Sequence, residues 1–84
     1  MSFEDDIKFF FISQTASDID FSIDTARLSK KMKKNPSNMY PMILSLIKEG
    51  FLQRTSKRKS GYEVSLSEKL RNVENCKIAM KYFK

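Results

Sequence analysis

The sequence predicts a single, mainly helical domain with a small β-hairpin, an α+β arrangement. Its 84 residues leave room for one hydrophobic core, because separate cores normally need on the order of 100 residues each. Apolar residues recur every three to four positions along most of the chain and alternate at residues 51–55 and 62–66. The chain contains only two prolines and two glycines, so we expect it to be folded rather than disordered.

The first predicted helix spans residues 3–13, with Ser2 as its N-cap. The acids of its first turn lie where the helix dipole favours negative charge. These acids are Glu4, Asp5 and Asp6, and the apolar face consists of Phe3, Ile7, Phe10 and Phe11. Residues 13–22 are polar with alternating Ile19 and Phe21, which predicts a loop and a short extended segment.

Two further helices follow. Asp24 is expected to cap the second helix, whose apolar contacts come from Ala26, Leu28 and Met32, and Pro36 is expected to stop it. The third helix is predicted over residues 38–49. Asn38 as N-cap puts Pro41 in the first turn, where its missing N–H loses no helical bond. Met39, Ile43, Leu46 and Ile47 form the predicted buried stripe, and Gly50 ends the helix in the left-handed conformation.

The strand-like segments then form a hairpin over residues 52–66, whose tip at residues 56–61 is basic. Ser67 is expected to cap a fourth helix over residues 67–83. Its apolar residues recur every three to four positions.

The predicted order is helix, extended segment, helix, turn, helix, basic hairpin, helix, which is that of a winged helix-turn-helix. Three segments are similar to the pattern of MarR-like and related bacterial and phage regulators: TARLSKKM at residues 25–32, NPSNM at 35–39 and LIKEGFL at 46–52. The resemblance covers residues 23–66. It implies that the helix at 38–49 enters the DNA major groove and that the wing at 52–66 lies on the backbone or in the minor groove.

The charge distribution agrees with an anionic partner. Residues 1–24 hold one base and six acids, residues 25–84 hold fifteen bases and four acids, and residues 25–59 alone hold ten bases and one acid. Basic side chains supply most of the affinity for DNA by neutralising phosphates. The predicted backbone contacts are Lys30, Lys31, Lys33, Lys34, Lys48, Arg54, Lys57, Arg58 and Lys59.

Base contacts are expected from the exposed side of the third helix. Asn38 is the best candidate because an amide can pair with adenine through two hydrogen bonds, although helix capping is an equal explanation for this residue. Ser37, Tyr40 and Ser45 are further candidates. Many such regulators carry a basic or donor residue in place of Pro41, so we expect DNA shape and dimer spacing to contribute to specificity.

The terminal helices, at residues 3–13 and 67–83, carry surplus apolar residues that predict a homodimer interface, although the two helices would also pack on each other within one chain. The predicted interface residues are Phe9, Ile12, Ile78, Met80, Tyr82 and Phe83.

Other classes of function are disfavoured. The chain has no histidine, a single cysteine, Cys76, and no glycine-rich phosphate loop, so we expect no enzyme, no metal site and no cofactor. The lone cysteine and the acidic start predict a cytoplasmic protein without a signal peptide or membrane span.

The leading hypothesis is a duplex DNA-binding transcriptional regulator, of phage or plasmid type given its size. The alternative is a winged-helix protein-interaction module whose contact is the acidic first helix or the surplus aromatic residues, and RNA binding ranks below both.

Overall fold

The structure is a computed structural model that describes residues 2–55, 63–72 and 74. Within these residues the chain is mainly helical and has a small three-stranded antiparallel sheet, which is compatible with the predicted α+β class. The helices are α1 (Phe3–Ser17), α2 (Thr25–Met32) and α3 (Pro36–Lys48), and the strands are β1 (Ile23–Asp24), β2 (Leu52–Arg54) and β3 (Glu63–Leu66).

Helix α1 begins as predicted and ends later than predicted. The backbone N–H of Asp5 donates to Ser2 Oγ at 3.2 Å, which confirms Ser2 as the N-cap. The expected end at residue 13 is wrong, because the helix continues to Ser17. Thr15 lies one turn after Phe11 and both side chains are fully buried, so the buried face extends through residues whose polarity suggested a loop.

Helix α2 is capped by Asp24, as predicted. The Ala26 backbone N–H donates to Asp24 Oδ1 at 2.7 Å. Leu28 is buried, but Ala26 is exposed and its predicted apolar contact is wrong. Thr25 and Ser29 take the buried positions beside Leu28 instead, and the Ser29 hydroxyl satisfies its hydrogen bond locally by donating to the Thr25 carbonyl at 3.1 Å.

The end of α2 comes before Pro36, because the chain turns at Lys33. This lysine has a φ of 56° in the left-handed region. Its N–H donates to the Lys30 carbonyl at 3.2 Å, and the Lys34 N–H donates to the Ser29 carbonyl at 3.0 Å. These two bonds form a Schellman motif, a helix ending that usually carries glycine at the left-handed position.

Helix α3 begins at Pro36, so the predicted start at Asn38 is wrong. Asn35 is the N-cap, and its Oδ1 accepts from the Ser37 N–H at 3.1 Å. Pro36 occupies the first helical position, where a proline is well tolerated. Pro41 therefore lies in the helix interior, where it cannot donate to the carbonyl of Ser37. Ser37 is exposed, so water can bind that carbonyl.

The other end of α3 agrees with the prediction for Gly50. The helix ends at Lys48, and Gly50 follows with a φ of 83°. The Gly50 N–H donates to the Ile47 carbonyl at 3.0 Å, and the Phe51 N–H donates to the Leu46 carbonyl at 2.9 Å. This second Schellman motif turns the chain from α3 directly into β2.

The sheet has the strand order β1-β3-β2. The predicted hairpin pairing of β2 with β3 is confirmed by the register Leu52 opposite Leu66. Its tip, residues 56–62, lies outside the described residues. Strand β1 completes the sheet by pairing with β3, with Ile23 opposite Val64. The sequence suggested an extended segment slightly earlier, at Ile19 and Phe21.

The hydrophobic core lies between the helices and one side of the sheet. Helix α1 packs against β3, α2 against α3, and α3 against β2. Phe10, Phe11 and Phe21 meet edge to face, with ring centroids 5.7–6.1 Å apart. The buried apolar residues are Ile7, Phe11, Ile12, Ile23, Leu28, Met39, Ile43, Leu46, Leu52, Val64 and Leu66.

The segment after β3 differs from the predicted start of a fourth helix. The N–H groups of Leu70 and Arg71 donate to the Ser67 carbonyl, forming a turn. The buried Ser67 hydroxyl makes no hydrogen bond within the described residues, so Ser67 is not a side-chain cap. Glu74 is helical, and the remainder of the predicted helix lies outside the described residues. In the part of the chain that the structure describes, every helix is too short or too polar to cross a bilayer.

Candidate functional site

Helix α3 has one buried side and one exposed side. Met39, Ile43 and Leu46 are fully buried, as predicted, and Ile47 is half-buried. The opposite side faces solvent because α2 and β2 cover only the apolar stripe. Its exposed residues are Ser37, Asn38, Pro41, Leu44, Ser45 and Lys48.

Three of the four predicted base-contact residues, Ser37, Asn38 and Ser45, are on this exposed side, and Tyr40 is half-buried at its flank. The capping explanation for Asn38 is wrong, because Asn35 provides the capping oxygen. The Asn38 carboxamide lies in the first turn of α3 and does not cap the helix. Sequence reasoning placed the cap three residues too late, and the proline after Asn35 was the signal for the correct position.

The bases of α2 and α3 are exposed. Lys30, Lys31, Lys33 and Lys48 make no ion pair with any described residue. By contrast, the Lys8 ammonium in α1 lies 3.8 Å from Glu4 Oε1. Ammonium groups without carboxylate partners are available to a phosphate, because no existing ion pair has to break.

Lys34 has a structural role of its own. Its ammonium lies 5.0 Å from the centroid of the Phe3 ring in α1, within the range of a cation–π interaction. This contact ties the turn between α2 and α3 to the start of α1. A phosphate would have to compete with the ring for this lysine, unlike for Lys30 or Lys31.

The β2–β3 hairpin, which was predicted to be a wing, is described only at the end away from its tip. Arg54 is exposed at the end of β2, opposite Val64, and the Thr55 N–H donates to the Glu63 carbonyl at 2.9 Å. The hairpin is therefore hydrogen-bonded up to Thr55 and Glu63. The predicted phosphate contacts Lys57, Arg58 and Lys59 lie outside the described residues.

The exposed base Arg27 was not among the predicted contacts. Arg27 lies one turn before Lys30 and Lys31 on the solvent side of α2. It makes no ion pair within residues 2–55 or 63–72. Its helical spacing from Lys30 and Lys31 was the available signal.

Five acids lie in α1 and in the loop after it. Glu4, Asp5 and Asp6 fill the first turn of α1, and Asp18 and Asp20 follow its end, where the Asp20 N–H donates to Asp18 Oδ1 at 3.1 Å. Dipole stabilisation and local hydrogen bonding account for their positions. Among the described residues, acidic and cysteine side chains form no cluster of three that would hold a metal ion.

The residues predicted for a dimer interface have different environments. Ile12 is 6% exposed and belongs to the core of the single chain, so it offers almost no surface to a second copy, contrary to the expectation that it was surplus. Phe9 is half-buried. Ile78, Met80, Tyr82 and Phe83 lie outside the described residues.

The candidate site thus consists of the exposed side of α3, the basic side chains of α2 and the described part of the β2–β3 hairpin. No protein-family model matches this chain, and a search of curated proteins finds no match to it.

Proposed function

We propose that this chain is a sequence-specific duplex DNA-binding protein of the winged helix-turn-helix type that acts as a transcriptional regulator. In this proposal α2 and α3 form the helix-turn-helix, α3 enters the major groove, and the β2–β3 hairpin is the wing. The order α1-β1-α2-α3-β2-β3 and the position of β1 beside β3 support it.

The observation that carries the proposal is the combination of surface chemistry on α3 and α2. An α-helix fits the major groove, where exposed polar side chains reach base edges. Helix α3 has such a side, with Asn38 freed from capping by Asn35. Lys30 and Lys31, one helix earlier, are exposed and without ion pairs to described residues, as phosphate contacts require.

The acidic part of the chain sharpens this assignment. The acids of α1 and of the loop after it lie in the first 24 residues, apart from the basic helices in sequence. An orientation that brought the acidic first turn of α1 to the duplex would be opposed by repulsion between its carboxylates and the phosphates. The same asymmetry disfavours a non-specific attraction to anions over the whole surface.

The test is the salt dependence of binding, measured by fluorescence anisotropy with a labelled pool of random duplexes. The logarithm of the affinity should fall linearly with the logarithm of salt concentration, with a slope of about −0.9 per phosphate contacted. Replacing Lys30, Lys31 and Lys48 by glutamine should flatten that slope by up to about 2.7, which is three such contacts.

A matched pair of single variants separates position from net charge. Lys31→Gln and Lys8→Gln each remove one positive charge, but the Lys8 ammonium already has two partners, Glu4 Oε1 at 3.8 Å and the Phe51 ring at 5.5 Å. The proposal expects the slope to flatten by about 0.9 for Lys31→Gln and to stay unchanged for Lys8→Gln. Equal effects would reduce the interaction to net charge alone, and the absence of binding at low salt would refute the function.

Recovery of preferred duplexes from the random pool tests sequence specificity together with the homodimer that the sequence predicted. A two-fold protein predicts two half-sites whose centres are about 10–10.5 base pairs, or a multiple, apart. An enriched single half-site would support DNA binding by one copy, and an unenriched pool would contradict specific recognition.

A further inference from the structure

On the side of α3 opposite the core, one row of side chains runs along the helix, and the middle of this row is apolar. Ser37, Pro41, Leu44 and Lys48 are separated by four, three and four residues, so they align along the helix at 3.6 residues per turn. This line lies opposite the buried Met39, Ile43 and Leu46. Asn38 and Ser45 lie to one side of it, and Tyr40 lies to the other.

Leu44 is unusual in this position. Its side chain is 53% exposed, the largest exposure among the large hydrophobic residues that the structure describes. Pro41, one turn earlier, is also exposed and its side chain has no hydrogen-bonding group. The two residues therefore place about one turn of apolar surface where a groove-binding helix approaches the bases most closely.

We infer that Leu44, with Pro41 beside it, recognises a thymine methyl group in the major groove. The inference rests on the proposed DNA binding and specifies what the centre of the helix reads. The thymine C5-methyl is the apolar group that base pairs present in that groove, and apolar side chains contact it. A leucine at this point selects thymine without any hydrogen bond.

The surroundings of Leu44 favour DNA over an apolar protein surface as its partner. Ser45 follows Leu44 directly, and Lys48 lies one turn later on the same line of the helix. Both residues are exposed. A protein partner that covered Leu44 would also have to desolvate the Lys48 ammonium or provide a carboxylate for it. A DNA groove provides a methyl group and phosphates at once.

The experiment uses the full chain and a duplex recovered from the random pool. Each thymine is replaced in turn by deoxyuridine, which removes the methyl group and keeps the base pair. Burial of one methyl group corresponds to about 0.8 kcal/mol, or roughly a fourfold change in affinity. We expect a loss of that size at one or two positions and none at the others.

Variants assign the effect to Leu44. Leu44→Ala should bind thymine and deoxyuridine duplexes equally, with an affinity close to that of the unaltered chain for the deoxyuridine duplex. Ile19→Ala is the matched control, because Ile19 is also exposed, at 37%, but lies in the loop after α1. This variant should keep the fourfold discrimination, and circular dichroism checks that both variants are folded.

The outcomes separate the two proposals. Salt-dependent binding with equal affinity at every thymine and deoxyuridine position, or discrimination that survives in Leu44→Ala, would overturn the role of Leu44 and leave DNA binding intact. If no duplex binds, the proposed function fails and this inference fails with it.

Discussion

Replacing Asn35 by alanine removes the side-chain oxygen that accepts the Ser37 N–H at 3.1 Å. Loss of an asparagine N-cap lowers stability by about 1 kcal/mol, within a range of roughly 0.5–2 kcal/mol. In a domain of this length, 1 kcal/mol corresponds to a fall in Tm of about 4–8 °C. Asn35 is exposed, so no packing loss adds to this value.

The assay is thermal unfolding followed by circular dichroism, with Asn38→Ala as the matched control. Asn38 is exposed in the first turn of α3 and does not cap it, so its replacement should change Tm by less than about 2–4 °C, since exposed substitutions usually change stability by less than about 0.5 kcal/mol.

Binding should show the reverse pattern. Loss of an amide that pairs with adenine lowers affinity by about 1–3 kcal/mol, so Asn38→Ala should bind a preferred duplex roughly 5- to 150-fold more weakly. Asn35→Ala should bind normally at a temperature where it is folded. If Asn38→Ala lowers Tm and Asn35→Ala does not, α3 begins where the sequence suggested and the reasoning about the cap is refuted.

Three further substitutions test the backbone and the core by urea or thermal unfolding. Lys33→Gly should raise stability by about 0.5–1 kcal/mol, because Lys33 has a left-handed φ of 56° that disfavours any side chain; an unchanged or lower stability would contradict this. Gly50→Ala should lower it by about 1 kcal/mol, through backbone strain alone, since an added Cβ at φ 83° meets no atom within 4 Å; a neutral result would refute the strain. Thr15→Val should raise stability by about 1 kcal/mol, because the fully buried Thr15 hydroxyl has no hydrogen-bond partner among the described residues. Destabilisation by Thr15→Val would instead indicate that this hydroxyl has a partner.

Matched controls exist for these changes. Lys31→Gly removes a neighbouring lysine from within α2 and should lower stability by about 1 kcal/mol, opposite to Lys33→Gly. Thr15→Ser keeps the hydroxyl but removes a buried methyl group, and should lower stability by about 0.5–1.5 kcal/mol.

Local chemistry made the helix starts and ends partly predictable. Ser2, Asp24 and Gly50 have a cap or turn role that each residue type fulfils with its own atoms, and the structure confirms all three. The left-handed turn at Lys33 was not predictable, because lysine gives no local preference for it. There, the packing of α2 against α3 overrides residue preference.

Two misplaced boundaries had the same physical origin. The end of α1 was judged from the polarity of the residues after Ile12, and the start of α3 from the cost of a proline within a helix. Thr15 is nevertheless helical because its side is buried, and Pro41 is helical because the carbonyl that it leaves without an N–H partner belongs to the exposed Ser37. Burial and exposure are properties of the tertiary structure, which one sequence does not contain.

For the candidate site, periodicity was sufficient to separate the buried and exposed sides of α3. Met39, Ile43 and Leu46 are buried, as their spacing predicted. The exposure of Leu44, opposite the core, follows from the same spacing. Ile12 was misjudged as surface, because its burial requires contacts that the helical period does not specify.

The position of β3 in the middle of the sheet affects the order in which the chain folds. Ser22, just before β1, donates to Glu63 across 41 residues of sequence, and β2 also pairs with β3. A contact as distant in sequence as that between Ser22 and Glu63 forms slowly, whereas α2 and α3, like β2 and β3, are neighbours along the chain. During synthesis the two helices can pair as soon as they emerge, while β1 and β2 must wait for β3. A nascent chain from which Leu52 has emerged but Glu63 has not therefore holds a helix pair without its sheet, with Ile23 and Leu52 still exposed to water.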